Sequence, residues 1–572
     1  MSRSVTGGQL VVRMLESLGI RTVFGVPGGQ TLALTDAILS SPAMEFVTAR
    51  HENAAAVMAD AYGRLTGTPG VCLATTGPGA TNLLTGIGGA VRDSSPVLAL
   101  TCNNAGENIH RDDAQNADHV ELFRSLTKYS RLVAHAGALR QAVEEAYLNA
   151  MSGNPGPAHL DFARDTIEGP VADADAAVPE GEHPMCRWVT QRPRADAHAL
   201  ADVATRLAKA ERPVLWLGGG CSRSGAGEAA LALAESLRIP VITTFNGIGT
   251  VPTTHPLVFG ALSRMGTRLS SRVMADADLV LAVGNSLNAV STGRWRMELP
   301  HVIQIDVDPA MLGRYYGRRT TGVVADARAT LEELHTLLAG RAGELSAARS
   351  AWTAELQQAE AVWWQERAAV EAPTGAGGLS PAEVVRRLRT AAPDDTLLIP
   401  DAGNPGVWSY LWQIRQPGSY IKPVGFGNMG FAVPAAVAAV VADPGRPVLA
   451  LVGDGSLGMS LAELETLARV GGRVAVVVLN DAGYGNIRQE QIVHYGNRTI
   501  GVDFGPSDYA RVARGLGLPA ERTDGLEELA KRVGETLDAG AGRFPALFDV
   551  PIDQSVNAWT YPAFRPYEPE EG

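Results

Sequence analysis

The chain has 572 residues and a formal net charge of −12. Hydrophobic residues make up 45% of it and charged residues 19%, the ordinary balance of a soluble globular protein, and the length predicts about three domains. The acidic balance argues against nucleic acid or an anionic membrane as the partner.

Targeting signals and disulfides are not expected. The first ten residues, MSRSVTGGQL, lack the apolar core of a signal peptide. The longest apolar run, Phe431–Ala442, is too short to span a bilayer and contains a proline. The cysteines have no CxxC spacing, which favours reduced thiols over disulfides or a zinc site: Cys72, Cys102, Cys186 and Cys221. We therefore expect a cytoplasmic protein.

The first segment, residues 1–170, alternates short apolar strands with helical patterns. This alternation predicts a parallel sheet with helices on both faces. Glu52 follows the second strand and opens a helix over Asn53–Leu65; taken alone, it is a surface glutamate favoured by the helix dipole. The predicted strands are Thr22–Phe24, Glu45–Thr48, Gly70–Ala74 and Val97–Thr101.

The second segment, residues 196–340, lies between a linker at 171–195 and a charged, alanine-rich helical stretch at 341–378 that ends in a second linker. Its loop LGGGCSRSG (217–225) is only a weak dinucleotide signal, because GGG is not GxGxxG. The predicted strands are Val214–Leu217, Val241–Thr244, Leu279–Val283 and Val302–Ile305.

The third segment, residues 379–553, carries the most informative motif. The strand Val448–Val452 leads into Gly453-Asp454-Gly455-Ser456, a helix is predicted over Ser460–Ala468, and the strand Val474–Leu479 ends at Asn480-Asp481. In such a βαβ unit the strands are parallel, so Asp454 and Asp481 lie at the same sheet edge, where open α/β sheets bind ligands. Two carboxylates suit a hard cation, and the glycines let backbone N–H groups approach a phosphate. Further strands are predicted at Thr396–Ile399 and Ala546–Val550.

This motif resembles that of the thiamine diphosphate enzymes, in the family of acetolactate synthases, 2-oxo acid decarboxylases and 2-hydroxyacyl-CoA lyases. The resemblance assigns Mg²⁺ to Asp454, Asp481 and the main-chain carbonyl of Gly483. Asp481 departs from the family, which has a second Asn there. The implied fold is three doubly wound α/β domains with parallel sheets, binding the pyrimidine, serving as the central domain, and binding the diphosphate.

Other motifs of the chain carry further family roles. RHENAAAVMADAYGRLTG (50–67) resembles the helix whose glutamate, here Glu52, faces the aminopyrimidine. GFGNMGFAVPAA (425–436) resembles the segment that holds the cofactor bent, in which Gly427 would hydrogen-bond the aminopyrimidine and Met429 would lie between the two rings. The diphosphate would be bound by Asn404, Gly453, Asp454, Gly455, Ser456, Asp481, Tyr484 and Gly485. The family also implies a homodimer with sites shared between two chains, and a homotetramer.

The reaction is less well defined by the residues. In Asp113-Ala114-Gln115, Gln115 is expected to face the substrate, and Ala114 replaces a family Phe, which enlarges the pocket. The turn at 76–79 has no histidine, which weighs against a simple decarboxylase. Gln30 would hydrogen-bond a substrate oxygen or is an ordinary loop residue.

The reading that we favour is a decarboxylating carboligase for a small-molecule 2-oxo acid, similar to acetolactate synthase. A 2-hydroxyacyl-CoA or ketol lyase, a simple decarboxylase and a non-catalytic scaffold remain alternatives. Glu490 stands where acetolactate synthases carry a Trp and would move a proton, or is a solvated helix residue. The central domain would hold FAD, ADP, CoA or nothing, and GNSLNAV (284–290) argues against FAD.

The C-terminal tail, residues 554–572, is aromatic and proline-rich with an acidic end. It would fold over the site as a lid that excludes water, or pack on a neighbouring domain. The aromatic residues concerned are Trp559, Tyr561, Phe564 and Tyr567.

Overall fold

Three parallel sheets follow one another along the chain, each packed with helices on both faces. The computed structural model describes residues 5–179, 181–263, 266–369, 378–540, 544–556, 558 and 564–565. The predicted α/β class with three parallel-sheet domains is confirmed. Within those ranges no helix combines the length and apolarity that a bilayer span needs.

The first sheet has six strands in the order β2-β1-β3-β4-β6-β5, every neighbour parallel. Gly25 pairs with Leu73 and Ala74 with Thr101, so the ends of the central strands share one edge. The last two strands were not predicted. The elements are α1 (Gly7–Ser17), β1 (Thr22–Gly25), α2 (Leu32–Leu39), β2 (Glu45–Thr48), α3 (Glu52–Thr66), β3 (Gly70–Ala74), α4 (Pro78–Arg92), β4 (Val97–Asn103), α5 (His119–Arg124), β5 (Tyr129–Val133), α6 (Leu139–Met151), β6 (Pro157–Ala163), α7 (Arg164–Glu168) and, in the linker, α8 (Met185–Val189).

The central sheet also has six parallel strands, in the order β13-β12-β11-β7-β8-β9. A long helix, α14, follows it. The elements are α9 (Ala197–Lys209), β7 (Pro213–Leu217), α10 (Gly219–Ser224), α11 (Gly227–Leu237), β8 (Val241–Thr243), β9 (Val258–Ala261), β10 (Gly266–Thr267), α12 (Arg268–Ala275), β11 (Leu279–Val283), β12 (His301–Asp306), β13 (Thr320–Val324), α13 (Ala327–Leu338) and α14 (Ala342–Ala369).

The third sheet has five parallel strands in the order β14-β15-β16-β18-β17. Its elements are α15 (Pro381–Ala391), β14 (Leu397–Pro400), α16 (Asn404–Trp408), α17 (Ala432–Ala442), β15 (Val448–Gly453), α18 (Asp454–Ser460), α19 (Glu463–Val470), β16 (Val474–Asn480), α20 (Gly485–Tyr495), α21 (Tyr509–Gly515), β17 (Ala520–Arg522), α22 (Leu526–Leu537) and β18 (Ala546–Pro551). The short strand β19 (Phe564–Arg565) pairs antiparallel with β10 of the central segment.

The helix predicted over Ser460–Ala468 is wrong in its bounds, because two helices, α18 and α19, occupy this stretch. Helix α18 begins at Asp454 itself. The second helix begins at Glu463, whose carboxylate accepts a hydrogen bond of 3.0 Å from the Arg50 N–H of the first domain. The local sequence pattern does not predict this contact between domains.

The first and third domains share one hydrophobic core. Helix α17 is apolar around its whole circumference, and residues of α3, α4 and α17 belong to the same buried cluster. A helix without a polar face must be buried on all sides. Alanine and glycine dominate these helices, so their backbones approach closely, and the domain that carries Glu52 is fixed to the domain that carries Asp454.

Candidate functional site

Asp454 and Asp481 meet at the carboxyl edge of the third sheet, as predicted. Gly453 pairs with Leu479 at the ends of β15 and β16, so the residues that follow lie side by side. Both carboxyl groups are buried and share a hydrogen bond. Burial and the neighbouring Asp481 raise the pKa of Asp454 to about 7. Such a pair holds a proton between its oxygens or offers them to a cation.

Backbone groups complete this edge. The Gly483 N–H donates to Asp454 Oδ2 at 3.0 Å. The Gly483 carbonyl oxygen lies 3.5 Å from the place of a Cβ on Gly455, so it faces the Gly-Asp-Gly turn. A Cβ on Gly485 would lie 1.8 Å from Asp481 Oδ2, and one on Gly455 2.8 Å from the Tyr484 ring. Glycine is therefore required at both positions.

A buried arginine stands beside Asp481. Arg488 Nη1 lies 3.5 Å from Asp481 Oδ2, and the guanidinium donates to the Asp481 carbonyl at 3.2 Å. Arg488 lowers the pKa of Asp481, but burial outweighs it and the net shift is upward. Sequence reasoning missed Arg488, whose signal is only its place one helical turn after Tyr484.

The turn that follows β14 joins the same edge. Asn404 Oδ1 accepts from Asn486 Nδ2 at 3.0 Å, which ties this turn to α20. Asp401 is fully buried, and burial raises its pKa to about 6. It accepts from the N–H groups of Gly430 (3.1 Å) and Ala432 (2.8 Å), and its side chain bonds Ser456.

The segment 425–430 leaves an open face. Gly427 has φ of 69°, in the left-handed region that favours glycine, and no atom lies within 4 Å of where its Cβ would stand. Met429 is half-buried. The Asn428 side chain is buried, and both its oxygen and its nitrogen lack a hydrogen-bond partner among the described residues.

The other end of the segment is held by the first domain. Asp93 accepts from the N–H groups of Val424 (3.0 Å) and Gly425 (2.7 Å). It also accepts from Arg64 Nη2 at 3.0 Å and from Asn246 Nδ2 of the central domain at 2.9 Å. One carboxylate thus connects three domains, a role that sequence reasoning did not predict.

Glu52 lies at the carboxyl edge of the first sheet, at the N-terminus of α3. Its Oε2 accepts from Asn82 Nδ2 at 2.9 Å, and its Oε1 lies 3.5 Å from the place of a Cβ on Gly79. The side chain is half-buried and turned toward the first turns of α4.

A chain of hydrogen bonds crosses the loops beside Glu52. Thr75 Oγ1 donates to Gln30 Oε1 (2.8 Å), Gln30 Nε2 donates to Asn104 Oδ1 (3.2 Å), and Asn104 Nδ2 donates to the Ala114 carbonyl (3.1 Å). Both polar groups of the Gln30 side chain therefore take part in this chain of hydrogen bonds. Gln115 follows with φ of 60°, an uncommon conformation for a residue with a side chain.

A histidine lies behind this turn, although residues 76–79 contain none. His119 Nε2 accepts from the Gly77 N–H at 3.0 Å, and its Nδ1 lies 2.8 Å from Asp161 Oδ1. The signal in the sequence was HLDFA (159–163), where polar groups interrupt a fully buried strand. A buried polar group needs a partner, so Asp161 implied one.

The remaining predicted residues lie on α20, in the central domain and in the C-terminal tail. Glu490 is half-buried on α20, after Arg488 and Gln489. In the central domain, a Cβ on Gly218 would lie 2.1 Å from the Gly284 carbonyl oxygen, so the glycine loop is needed for backbone packing. Of the proposed lid residues, Trp559, Tyr561 and Tyr567 lie outside the described residues, and Phe564 belongs to β19.

The third-sheet edge fits a metal-bound diphosphate. Two buried carboxylates and a carbonyl form a hard oxygen donor set, and the backbone N–H groups of a glycine-rich turn of this kind form a concavity that suits an anion. On the adjoining segment, the Asn428 amide has no hydrogen-bond partner among the described residues, and the space beside Gly427 is empty. A ligand could therefore hydrogen-bond to this segment. Within the described ranges no three His, Cys, Asp or Glu side chains cluster as a metal site, so this donor set depends on the backbone carbonyl.

The sequence is similar to that of known proteins along nearly the whole chain. Residues 5–122, 200–334 and 401–550 match the N-terminal TPP binding domain, the central domain and the C-terminal TPP binding domain described for thiamine pyrophosphate enzymes. A probable acetolactate synthase large subunit of Methanocaldococcus jannaschii is 32% identical over 559 residues, covering 96% of this chain and 92% of the relative. The acetolactate synthase isozyme 1 large subunit of Escherichia coli K12 is 30% identical, covering 98% and 96%.

Proposed function

Because the chain belongs to the thiamine pyrophosphate enzyme family, we propose that it decarboxylates a 2-oxo acid and joins the remaining fragment to a second carbonyl compound. The similarity to acetolactate synthase large subunits over nearly the whole chain supports this reaction. The observation that carries it is that Glu52 is held at one sheet edge and the Asp454–Asp481 pair at another, each at the carboxyl ends of parallel strands.

In this proposal Asp454, Asp481 and the Gly483 carbonyl would hold Mg²⁺, and the metal would help to bind the diphosphate of the cofactor. Asn404, Gly453, Gly455, Ser456, Tyr484 and Gly485 line the same edge. The bound cofactor supplies a carbon nucleophile that stabilises negative charge after carbon dioxide leaves. Arg488 reduces the net negative charge of the Asp481 side of the site.

The segment 425–430 orients the cofactor. Gly427 has open space on its side-chain face, where it would hydrogen-bond the aminopyrimidine, and Met429 would supply an apolar contact to the rings of the cofactor. Asp93 and Asp401 fix the segment at its two ends through backbone N–H groups. This double attachment supports a rigid platform in place of a mobile loop.

Glu52 is the proposed proton donor to the pyrimidine ring. Asn82 orients its carboxyl group, and Gly79 leaves space beside it. General acid–base residues contribute typically 10²–10⁴-fold to rate. Glu52→Gln keeps the shape and the Asn82 contact but cannot exchange the proton.

Gln115 and Gln30 form the substrate side, and the small Ala114 leaves room for a side chain larger than a methyl group. Glu490 is the proposed proton carrier at the outer end of the site. We further propose a cytoplasmic homodimer or homotetramer with shared sites. The four free cysteines support a reducing compartment.

The test is carbon dioxide release from a panel of 2-oxo acids with thiamine diphosphate and Mg²⁺, with and without an acceptor aldehyde. We expect release by the native enzyme, faster consumption and a ligated product with acceptor, and a loss of at least about 100-fold in Glu52→Gln. Exchange of the cofactor C2 proton, followed in deuterium oxide, reports Glu52 without any substrate. C2 exchange without release from any acid would overturn the decarboxylation and indicate a ketol or hydroxyacyl-CoA lyase.

A further inference from the structure

A buried polar network underlies the turn between β3 and α4. Asp161 accepts from Thr101 Oγ1 at 2.7 Å and from Asn103 Nδ2 at 2.7 Å, and His119 Nδ1 lies 2.8 Å from it. His119 and Asp161 are each about 1% exposed. No part of the reaction proposed above uses either side chain.

The contacts define the protonation of the ring. Asp161 already accepts from Thr101 and Asn103, and burial opposes its charge, but these bonds and His119 keep its pKa below the ordinary value. An ionised Asp161 can only accept, so His119 carries its proton on Nδ1. The lone pair of Nε2 is then free to accept the Gly77 N–H at 3.0 Å.

Gly77 is the point where this network reaches the site. It has φ of 60° and ψ of −109°, and a Cβ there would lie 2.3 Å from the Gln115 carbonyl oxygen. Two residues later, Gly79 faces Glu52. Thr76 Oγ1, from the same turn, donates to the Gln115 carbonyl at 3.2 Å.

We propose that His119, oriented by Asp161, is a positioning residue that fixes the Gly77 peptide and thereby the Gln115 loop on the substrate side of the site. Its absence leaves a buried Gly77 N–H without an acceptor, so the peptide turns toward another partner. Gln115, whose backbone has a left-handed conformation, then loses the packing against Gly77 that fixes its position. The effect falls on the 2-oxo acid more than on the cofactor, whose metal edge lies on another sheet.

Two variants test separately the hydrogen bonds that the His119 imidazole makes with Gly77 and with Asp161. In His119→Gln the amide oxygen takes the place of Nε2 and still accepts from Gly77, whereas in His119→Asn the amide takes the place of Nδ1 and meets only Asp161. We expect His119→Asn to raise the KM of the 2-oxo acid about tenfold and His119→Gln to raise it less than threefold. The affinity for thiamine diphosphate should change less than twofold in both, because the residues proposed to bind its diphosphate lie on another sheet.

The hydrogen bond from the Gly77 N–H to His119 can also be measured without substrate turnover. Amide hydrogen exchange of the peptide that spans Gly77, followed by mass spectrometry on the apoprotein, should accelerate at least tenfold in His119→Asn and remain slow in His119→Gln. His159→Gln is the control, since it disturbs the Thr101 end of the network and should leave both the exchange at Gly77 and the KM unchanged.

The KM part of this proposal rests on the proposed reaction, but the exchange part does not. If no 2-oxo acid is consumed by the native enzyme, the proposed reaction fails while protection of Gly77 still tests His119. Equal KM values and equal exchange in the Asn and Gln variants would overturn the role of His119. So would a KM effect of the same size in His159→Gln, because the role would then be general stability.

Discussion

At the scale of single residues, His159 makes the first domain sensitive to acid. The Thr101 hydroxyl donates a hydrogen bond to Asp161, so the Thr101 oxygen accepts one from His159 Nε2. Ser130 Oγ lies at hydrogen-bond distance, 2.8 Å, from His159 Nδ1. Burial lowers the pKa of His159 to about 3. The unfolded chain takes up this proton near pH 6.5, so the unfolded state binds more protons and stability falls as the pH drops from about 6.5 to about 3.

We therefore expect the free energy of unfolding to decrease by about 1.4 kcal/mol per pH unit between pH 6 and pH 4 from this group alone. His159→Gln should remove that part of the slope, whatever it does to stability at pH 7. Urea titrations of the apoprotein at several pH values measure it. The exposed His198, replaced by Gln, is the control. An unchanged slope in His159→Gln would show that His159 is not kept neutral in the folded protein.

At the same scale, we predict that Ala114 sets the size of substrate that the site accepts. It lies next to Gln115, and its exposed side chain leaves that side of the loop unfilled. Ala114→Phe should lower kcat/KM for 2-oxo acids with long or aromatic side chains by about 10–100-fold, the discrimination that a pocket of altered volume provides. Pyruvate should be affected less than threefold. A uniform loss for all acids would place Ala114 away from the substrate.

At the scale of elements, the attachment of segment 425–430 to Asp93 is the most consequential contact. Asp93→Asn replaces an acceptor oxygen with a donor and removes one of the two buried carboxylates that pair with Arg64. Asp60 still pairs with Arg64 at 2.6 Å, so the loss of stability should be smaller than the loss of about 3–5 kcal/mol for a buried ion pair that is broken outright. We also expect the Kd of thiamine diphosphate to rise about tenfold, because the segment that carries Gly427 and Met429 loses its fixed start. Calorimetry of cofactor binding and thermal unfolding measure the two effects.

Asn246→Ala provides the matched comparison for Asp93. It removes the donor of the central domain and leaves Arg64, Val424 and Gly425 on the carboxylate. It should lower stability only slightly and leave cofactor affinity unchanged. If Asp93→Asn, measured where it is folded, binds the cofactor as tightly as the native protein, Asp93 is only a structural link.

The elements also show what the sequence could and could not predict. Strands such as Gly70–Ala74 and Leu279–Val283 were predicted with their observed bounds, because continuous apolar runs between turns mark buried parallel strands. The meeting of Asp454 and Asp481 followed from the βαβ rule. The break between α18 and α19, the Asp93 attachment and the His119 network were missed, since each depends on contacts between residues far apart in the chain.

At the scale of the whole molecule, helix α4 separates the two parts of the site within one chain. Glu52 contacts its first turns at Gly79 and Asn82, whereas segment 425–430 packs against its other end, at Gly88 and Gly89. At 1.5 Å per residue, these two ends lie roughly 12 Å apart along the helix axis. The shared core fixes this arrangement, so Glu52 cannot move to the segment of its own chain.

In the proposed dimer, Glu52 of one chain would lie opposite the Asp454 edge of the other, so the distance within one chain would not matter. This arrangement predicts that two inactive variants restore activity when they form a mixed dimer. Glu52→Gln and Asp454→Asn are each expected to be inactive alone. Co-expressed in equal amounts, they form mixed dimers in which one site carries both changes and the other carries neither. Because random pairing makes about half of the dimers mixed, total activity should recover to about a quarter of the native value. A site built within one chain would leave every site with one defect, and no activity would return.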